Sequence, residues 1–142
     1  MELLGTKAKS LLENNGVKLV IGYENGPDEG VRAVFIRKPS DCERLVFDEQ
    51  CTQNLAVYLT KHEIKHFGRL GVVALPYTVR SILQIASENQ LKEGDVVALV
   101  PTADGNVLEL NDFRSMEEYV ASFIQDMPEA DRERIHKLKA MS

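Results

Sequence analysis

The sequence predicts an α/β fold in which a mixed sheet of about five strands contains a parallel βαβ unit and helices pack on the sheet. The prediction depends on residues 68–100. Residues 70–75 form a short apolar run, typical of a strand buried on both faces. Apolar residues then recur at helical spacing at Ile82, Leu83, Ile85 and Ala86, and a second apolar run follows at 95–100, after Gly94.

The corner between the first strand and the helix of this unit is the first candidate site. It consists of residues 76–80, Pro-Tyr-Thr-Val-Arg, with Thr78 as the expected N-cap of the helix. In parallel βαβ units, ligands usually bind where a strand passes into the following helix. Arg80 falls in the first helical turn, where backbone N–H groups favour an anion.

The elements before this unit follow from hydrophobic spacing and turn residues. Apolar residues in the first twelve positions predict an amphipathic helix that ends at Asn14-Asn15-Gly16, a left-handed C-cap signal. Residues 17–23 and 31–36 predict two strands around a polar loop, which suits a hairpin. The capping-box spacing of residues 40–43 predicts a short helix through Val46, and Thr52 is the expected cap of a longer helix that carries Leu55, Ala56, Tyr58 and Leu59.

The elements after the unit complete one domain. Asp104-Gly105 predicts a turn into an edge strand at 107–110, and the capping-box spacing of residues 115–118 predicts another helix. The expected organisation is a single α/β domain over 1–142, with a core at 1–127 and a charged C-terminal helix at 128–142. That last helix has little apolar surface of its own, so packing on a partner or on a second copy is left open.

Composition excludes several classes of function. The net charge is −5 and the pI is near 5.2, which argues against binding to nucleic acid or to an anionic membrane surface. The N-terminus lacks the pattern of a signal peptide, and no apolar run approaches a membrane span of ~18 residues. We therefore expect a cytoplasmic protein.

Several short blocks of the sequence, spread over roughly residues 3 to 100, resemble the N-terminal portion of the coenzyme F-420 hydrogenase/dehydrogenase beta-subunit family. The blocks are the segment 17–23, Val34-Phe35-Ile36, the segment 54–59, Gly71-Val72-Val73, Arg80-Ser81-Ile82 and Glu88-Asn89-Gln90. Members of that family are larger iron–sulfur flavoproteins that transfer electrons between clusters, a flavin and a deazaflavin or related acceptor. The resemblance implies a connection with an anaerobic redox complex.

The chain departs from that family in the residues that carry its chemistry. After the Gly-Val-Val strand the family typically has Gly-Cys-Asp-x-Arg, whereas this chain keeps only the arginine, as Arg80. The later cysteines and the flavin-bearing part are also missing, and a cluster needs thiolate ligands. We therefore expect no cofactor. Tyr77, Thr78 and Arg80 remain as a small-anion site or a contact for a redox partner, or else as a cap and an exposed or ion-paired arginine.

Two further groups of residues have chemistry of their own. Cys42 and Cys51 are nine positions apart without CxxC spacing, and we expect them to behave as half-buried apolar residues. His62-Glu63-Ile64-Lys65-His66 matches HExxH, which on a helix places two imidazoles on one face for zinc. The helix is expected to end within a residue or two of His66, and His136 is the only other histidine.

Three functions remain for this chain. The favoured one is a non-catalytic accessory, assembly or regulatory protein of a hydrogenase- or dehydrogenase-type redox complex, with a protein partner and with self-association left open. The second is a small-anion or small-ligand-binding domain that uses the turn around Arg80. The third is a zinc-dependent hydrolase that uses His62, Glu63 and His66.

Overall fold

The computed structural model describes residues 2–125, apart from the side chains at positions 2, 29 and 123–125. These residues form a five-stranded sheet with strand order β2-β1-β3-β4-β5. The strands are β1 (Leu19–Asn25), β2 (Val31–Ile36), β3 (Leu70–Val73), β4 (Val96–Pro101) and β5 (Val107–Leu110). The α-helices are α1 (Glu2–Asn14), α2 (His62–Lys65), α3 (Pro76–Ser87) and α4 (Phe113–Gln125), and the longer 3₁₀ helices are Pro39–Arg44 and Leu55–Tyr58.

The strand pairing confirms the predicted mixed sheet. Strand β1 pairs in parallel with β3, and β3 pairs in parallel with β4 across the helix α3, which is the expected βαβ unit. The predicted hairpin is the antiparallel pair β1–β2, and β5 returns antiparallel to β4 as an edge strand. The parallel pair β3–β4 is buried throughout except at its last residue, as continuous apolar runs require.

Helices cover both faces of the sheet. A Cβ on Gly71 would lie 3.3 Å from Leu11 Cδ1, so this face of the sheet is covered by α1, and we call it the α1 face. On the opposite face, the Tyr23 hydroxyl donates to the Gln53 carbonyl, just before the 3₁₀ helix 55–58. The Asn54 side-chain amide then donates to Ser81 Oγ at 2.9 Å and joins that segment to α3. We call this second face the α3 face.

The start of α3 corrects the predicted cap. The helix begins at Pro76, and its N-cap is Leu75 rather than Thr78. Proline is favoured at the first helical position because its missing N–H would have no intrahelical partner there. Thr78 is therefore at the third helical position, and its hydroxyl accepts from the Leu75 N–H at 3.1 Å.

Two other predicted caps are also wrong. The segment expected to begin at Ser40 is the 3₁₀ helix 39–44, which begins at Pro39 after Lys38 and has no side-chain cap. Thr52 caps no long helix, because the 3₁₀ helix 55–58 is only four residues long and is capped by the Asn54 side chain, which accepts from the Ala56 N–H at 3.1 Å.

Helix α4 begins two residues before the predicted cap. It begins at Phe113, and the Asp112 carboxylate accepts from the Ser115 N–H at 2.7 Å, so aspartate has the capping role expected of Ser115. The first helix ends as predicted, because α1 ends at Asn14 and Gly16 has a φ of 71°. The predicted C-terminal helix at 128–142 lies outside the described residues. No helix in the described part of the chain is long and apolar enough to span a membrane.

Candidate functional site

Tyr77 is the exposed member of the candidate corner. It follows Pro76 in the first turn of α3, beyond the end of β3, and is 40% exposed. Its hydroxyl donates to the Thr52 carbonyl, and its own carbonyl accepts from Ser81 Oγ at 3.0 Å. Burial raises the pKa of the Tyr77 phenol, which keeps it protonated as a donor. The ring is therefore held in a fixed position while part of it faces solvent.

Thr78 is fully buried at the same corner. Its backbone N–H donates to the Leu75 carbonyl at 2.9 Å, and its hydroxyl accepts from the Leu75 N–H. Both hydrogen bonds join the first turn of α3 to its N-cap residue, Leu75. The Thr78 side chain thus supports the turn from within the protein.

Arg80 is partly buried on the first turn of α3 and has no ion-pair partner among residues 2–125. The structure brings Arg80 into the same helical turn as Tyr77 and Thr78, as predicted. Of the three side chains, only that of Arg80 has no internal hydrogen bond within the described chain. The role of these residues as a ligand site stays a prediction.

An ion cluster around the buried Glu24, at the end of β1, was not predicted from the sequence. Glu24 is only 8% exposed and accepts from Arg32 Nε at 3.0 Å, from Arg44 Nη2 at 2.7 Å and from Arg44 Nε at 3.0 Å. Burial alone would raise the pKa of Glu24, but the hydrogen bonds from the two guanidinium groups prevail and lower it. The hairpin pairing of Glu24 with Arg32 was the one signal in the sequence, whereas Arg44 approaches from the 3₁₀ helix 39–44.

Both cysteines are buried and unpaired. Burial raises the pKa of the Cys42 thiol to about 11, and the nearby Asp41 carboxylate adds to the effect. Burial also raises the pKa of Cys51, whose sulfur lies 3.4 Å from the Asp48 N–H. Neutral, inaccessible thiols are poor nucleophiles, so these side chains serve as apolar core residues.

The HExxH segment forms the one-turn helix α2, which ends at Lys65. His62, Glu63 and His66 are all exposed, and the His66 ring stacks on Phe67 with 4.8 Å between centroids. Within residues 2–125, no three histidine, cysteine, aspartate or glutamate side chains are grouped to hold a metal ion. His136 lies outside the described residues, and the zinc hypothesis stays a prediction.

A cleft of about 630 Å³ opens between the first turns of α1 and the 3₁₀ helix 39–44. Its lining includes Lys9, Ser40 and Glu43, all of them exposed, together with the buried Cys42. Gly5 permits this close packing, because a Cβ there would lie 3.0 Å from the Cys42 carbonyl oxygen. The cleft belongs to the α1 face, whereas the corner at Tyr77 belongs to the α3 face.

A comparison with known protein families finds no family model that matches this chain, and a comparison with curated proteins likewise finds no match.

Proposed function

We propose that this chain is a non-catalytic accessory or assembly protein that binds a subunit of a hydrogenase- or dehydrogenase-type redox complex. The proposed contact is the corner surface, which we define as Tyr77 and Arg80 of α3 together with Val57 of the 3₁₀ helix 55–58, which contacts α3. The observation that carries the proposal is that Tyr77 and Arg80 are held on one helical turn with a ring and a guanidinium available to a partner. Tyrosine and arginine are enriched among the residues that dominate the energy of protein interfaces.

The rigid support beneath this surface strengthens the proposal. The Tyr77 hydroxyl is fixed by Thr52, and the Asn54–Ser81 hydrogen bond ties the same segment to α3. Val57, on the 3₁₀ helix 55–58 that follows, is 54% exposed. Little conformational entropy of the Tyr77 ring is therefore lost when a partner covers it, which favours affinity.

A protein contact suits the corner better than a small-anion site does. The Thr78 hydroxyl already accepts from the Leu75 N–H, and the Tyr77 hydroxyl already donates to Thr52. A small anion would then depend on Arg80 and free backbone N–H groups, whereas a protein surface can use the Tyr77 ring as well. The resemblance of the sequence to redox beta subunits suggests which class of partner to expect.

Site-specific photocrosslinking in the native organism tests the proposal. A benzophenone amino acid replaces Tyr77 in one variant and Leu108 in the matched control, because Leu108 is also 40% exposed but lies on the edge strand β5. We expect the variant at position 77 to capture a polypeptide that carries iron–sulfur clusters or a flavin, identified by mass spectrometry. Arg80→Glu in the same background is expected to reduce that capture at least several-fold.

Two results would contradict the proposal. One is equal capture at positions 77 and 108, which would mean that the corner surface has no preferred partner. The other is exclusive capture of proteins that contain no redox cofactor, which would retain a docking function but reject the class of complex. Thermal denaturation of the two crosslinker variants and of Arg80→Glu is the control for folding.

A further inference from the structure

The outer edge of β2 is open among the residues described. Strand β2 is the first in the sheet order, so only β1 pairs with it there. In an antiparallel pair, successive residues direct their N–H and C=O groups alternately toward the neighbour and away from it. The Gly26 N–H donates to the Gly30 carbonyl at 2.8 Å, and this pair sets the alternation. Residues 32, 34 and 36 therefore bond to β1, while Val31, Ala33 and Phe35 direct their backbone groups outward.

A second hydrogen bond agrees with this assignment. Tyr23 is opposite Ala33 in the hairpin register, so its backbone should also point away from β2. Its carbonyl does accept from the Val46 N–H, at 2.9 Å, on its other side. The backbone groups of the Tyr23–Ala33 pair thus point away from each other, and those of Ala33 point to the free edge.

The side chains at this edge form an apolar stripe. Val31, Ala33 and Phe35 alternate along the strand and therefore share the α3 face. Phe35 is 41% exposed, and its ring meets the edge of the Tyr58 ring at a centroid distance of 5.0 Å. An unpaired strand with apolar, uncharged outward positions is a template for pairing with another strand.

The other edge of the sheet differs. The Thr102 N–H donates to the Asn106 carbonyl at 2.8 Å, which leaves Val107 and Glu109 as the outward positions of β5. One of those two residues is charged, and charges on edge strands are a common protection against pairing. The chain therefore offers an uncharged, three-residue pairing edge on β2 and a shorter, charged one on β5.

We propose that β2 pairs antiparallel with β2 of a second copy of this chain, around a twofold axis at Ala33, so that two five-stranded sheets become one continuous ten-stranded sheet. In this register Ala33 is opposite its own copy, and Phe35 is opposite Val31 of the second copy. All three outward residues then exchange backbone hydrogen bonds across the axis. The proposal is independent of the corner surface and of any redox partner.

Charge favours this register over the one that places Phe35 opposite Phe35. Within the paired strands, Arg32 of one chain is opposite Val34 of the other, so no like charges are directly opposite each other. A register with Phe35 opposite Phe35 would instead place Lys38 opposite Arg32, and like charges directly opposite each other destabilise a strand pair.

Sedimentation velocity on the full chain over a range of concentrations tests the proposal. We expect a monomer–dimer equilibrium whose dissociation constant rises about tenfold or more in Phe35→Lys and in Ala33→Pro. The Ala33 N–H has no partner within the described chain, so proline at that position removes no bond of the sheet itself. Leu108→Lys is the matched control, because Leu108 is 40% exposed on the opposite edge strand and should leave the equilibrium unchanged.

A cysteine variant tests the register itself. The Cα atoms of a hydrogen-bonded antiparallel pair are about 5.5 Å apart, within the span of a disulfide. Ala33→Cys is therefore expected to form an intermolecular disulfide under mild oxidation, whereas Leu108→Cys should not. Both native cysteines are buried. Far-UV circular dichroism confirms that each variant is folded.

Three outcomes would overturn the homodimer. The first is a wild-type chain that stays monomeric at every soluble concentration. The second is a dimer that persists in both β2 variants, which would place the interface elsewhere. The third is a monomer whose Ala33 and Phe35 amides become protected from hydrogen exchange only when a different protein is added, which would assign this edge to a foreign strand.

Discussion

The carboxylate of Glu24 allows a direct test of how much its hydrogen bonds to arginine stabilise the folded protein. We consider Glu24→Gln, which keeps the shape of the side chain but removes its charge. The carboxylate accepts three hydrogen bonds from Arg32 and Arg44, and hydrogen bonds to charged groups contribute about 1.5–3 kcal/mol each. The arginine side chains are 60% and 48% exposed, so solvent screens much of the attraction. Glutamine also keeps one acceptor oxygen. We therefore expect a loss of about 1–3 kcal/mol in the free energy of unfolding at pH 7.

The pH dependence of this loss follows from the direction of the pKa shift. The folded protein holds the pKa of Glu24 below its ordinary value of 4.5, so the unfolded chain takes up a proton more readily than the folded one. The stabilising contribution is complete above pH values near 4.5 and decreases as the pH falls through the lower, folded pKa. The difference in stability between the wild type and Glu24→Gln should therefore be largest near neutral pH and shrink in acid.

Urea unfolding followed by circular dichroism, from pH 7 down to about pH 3, measures both effects. Glu118→Gln is the matched control, because Glu118 accepts from Arg114 at 3.3 Å in a pair whose side chains are 69% and 88% exposed. Its removal should cost about 0–0.5 kcal/mol. The reasoning is refuted if Glu24→Gln costs no more than Glu118→Gln, or if the cost of Glu24→Gln does not change with pH.

Three further predictions concern the core, the corner and the thiols. Gly22→Ala should lower the free energy of unfolding by about 1–3 kcal/mol, because the new Cβ would lie 2.4 Å from Leu45 Cδ2. Thermal denaturation of the variant and the wild type measures this loss of stability. Thr78→Val should cost about 1 kcal/mol through the loss of its hydrogen bond to the Leu75 N–H, whereas Thr78→Ser should recover most of it in the same urea titration. Cys42 should react with a thiol reagent at pH 8 far more slowly in the native protein than in urea, since it is 2% exposed with a pKa of about 11. Equal rates in the two states would mean that this part of the structure opens readily.

The caps show where local sequence rules stop working. Ser40 and Ser115 have the spacing of capping boxes, yet a helix begins at Pro39 in the first case, and Asp112 has the capping role in the second. Thr78 has the right chemistry for an N-cap but lies three positions too late, because Pro76 can occupy the first helical position. Cap residues are short polar side chains that serve several positions equally well, so the boundary depends on where packing holds the helix.

The candidate corner was found from the sequence because it depends on chain order alone. A buried strand that ends in Pro76 and is followed by helical spacing places residues 77–80 at the start of α3, whatever the rest of the chain does. The internal partners of Tyr77 and Thr78 could not be predicted in the same way. Thr52 is separated from Tyr77 by 25 positions, and only the folded chain brings its carbonyl to the tyrosine hydroxyl.

The sequence by itself determined the class of fold, the order of the strands along the chain, and the burial of the parallel pair. Hydrophobic periodicity carries that information, because it records which side chains must leave water. The tertiary structure alone decided the strand order, the Glu24–Arg32–Arg44 cluster and the edge of β2 that is open among residues 2–125. These features depend on contacts between distant segments, and charged or backbone groups become partners only when the packing of the apolar core brings them together.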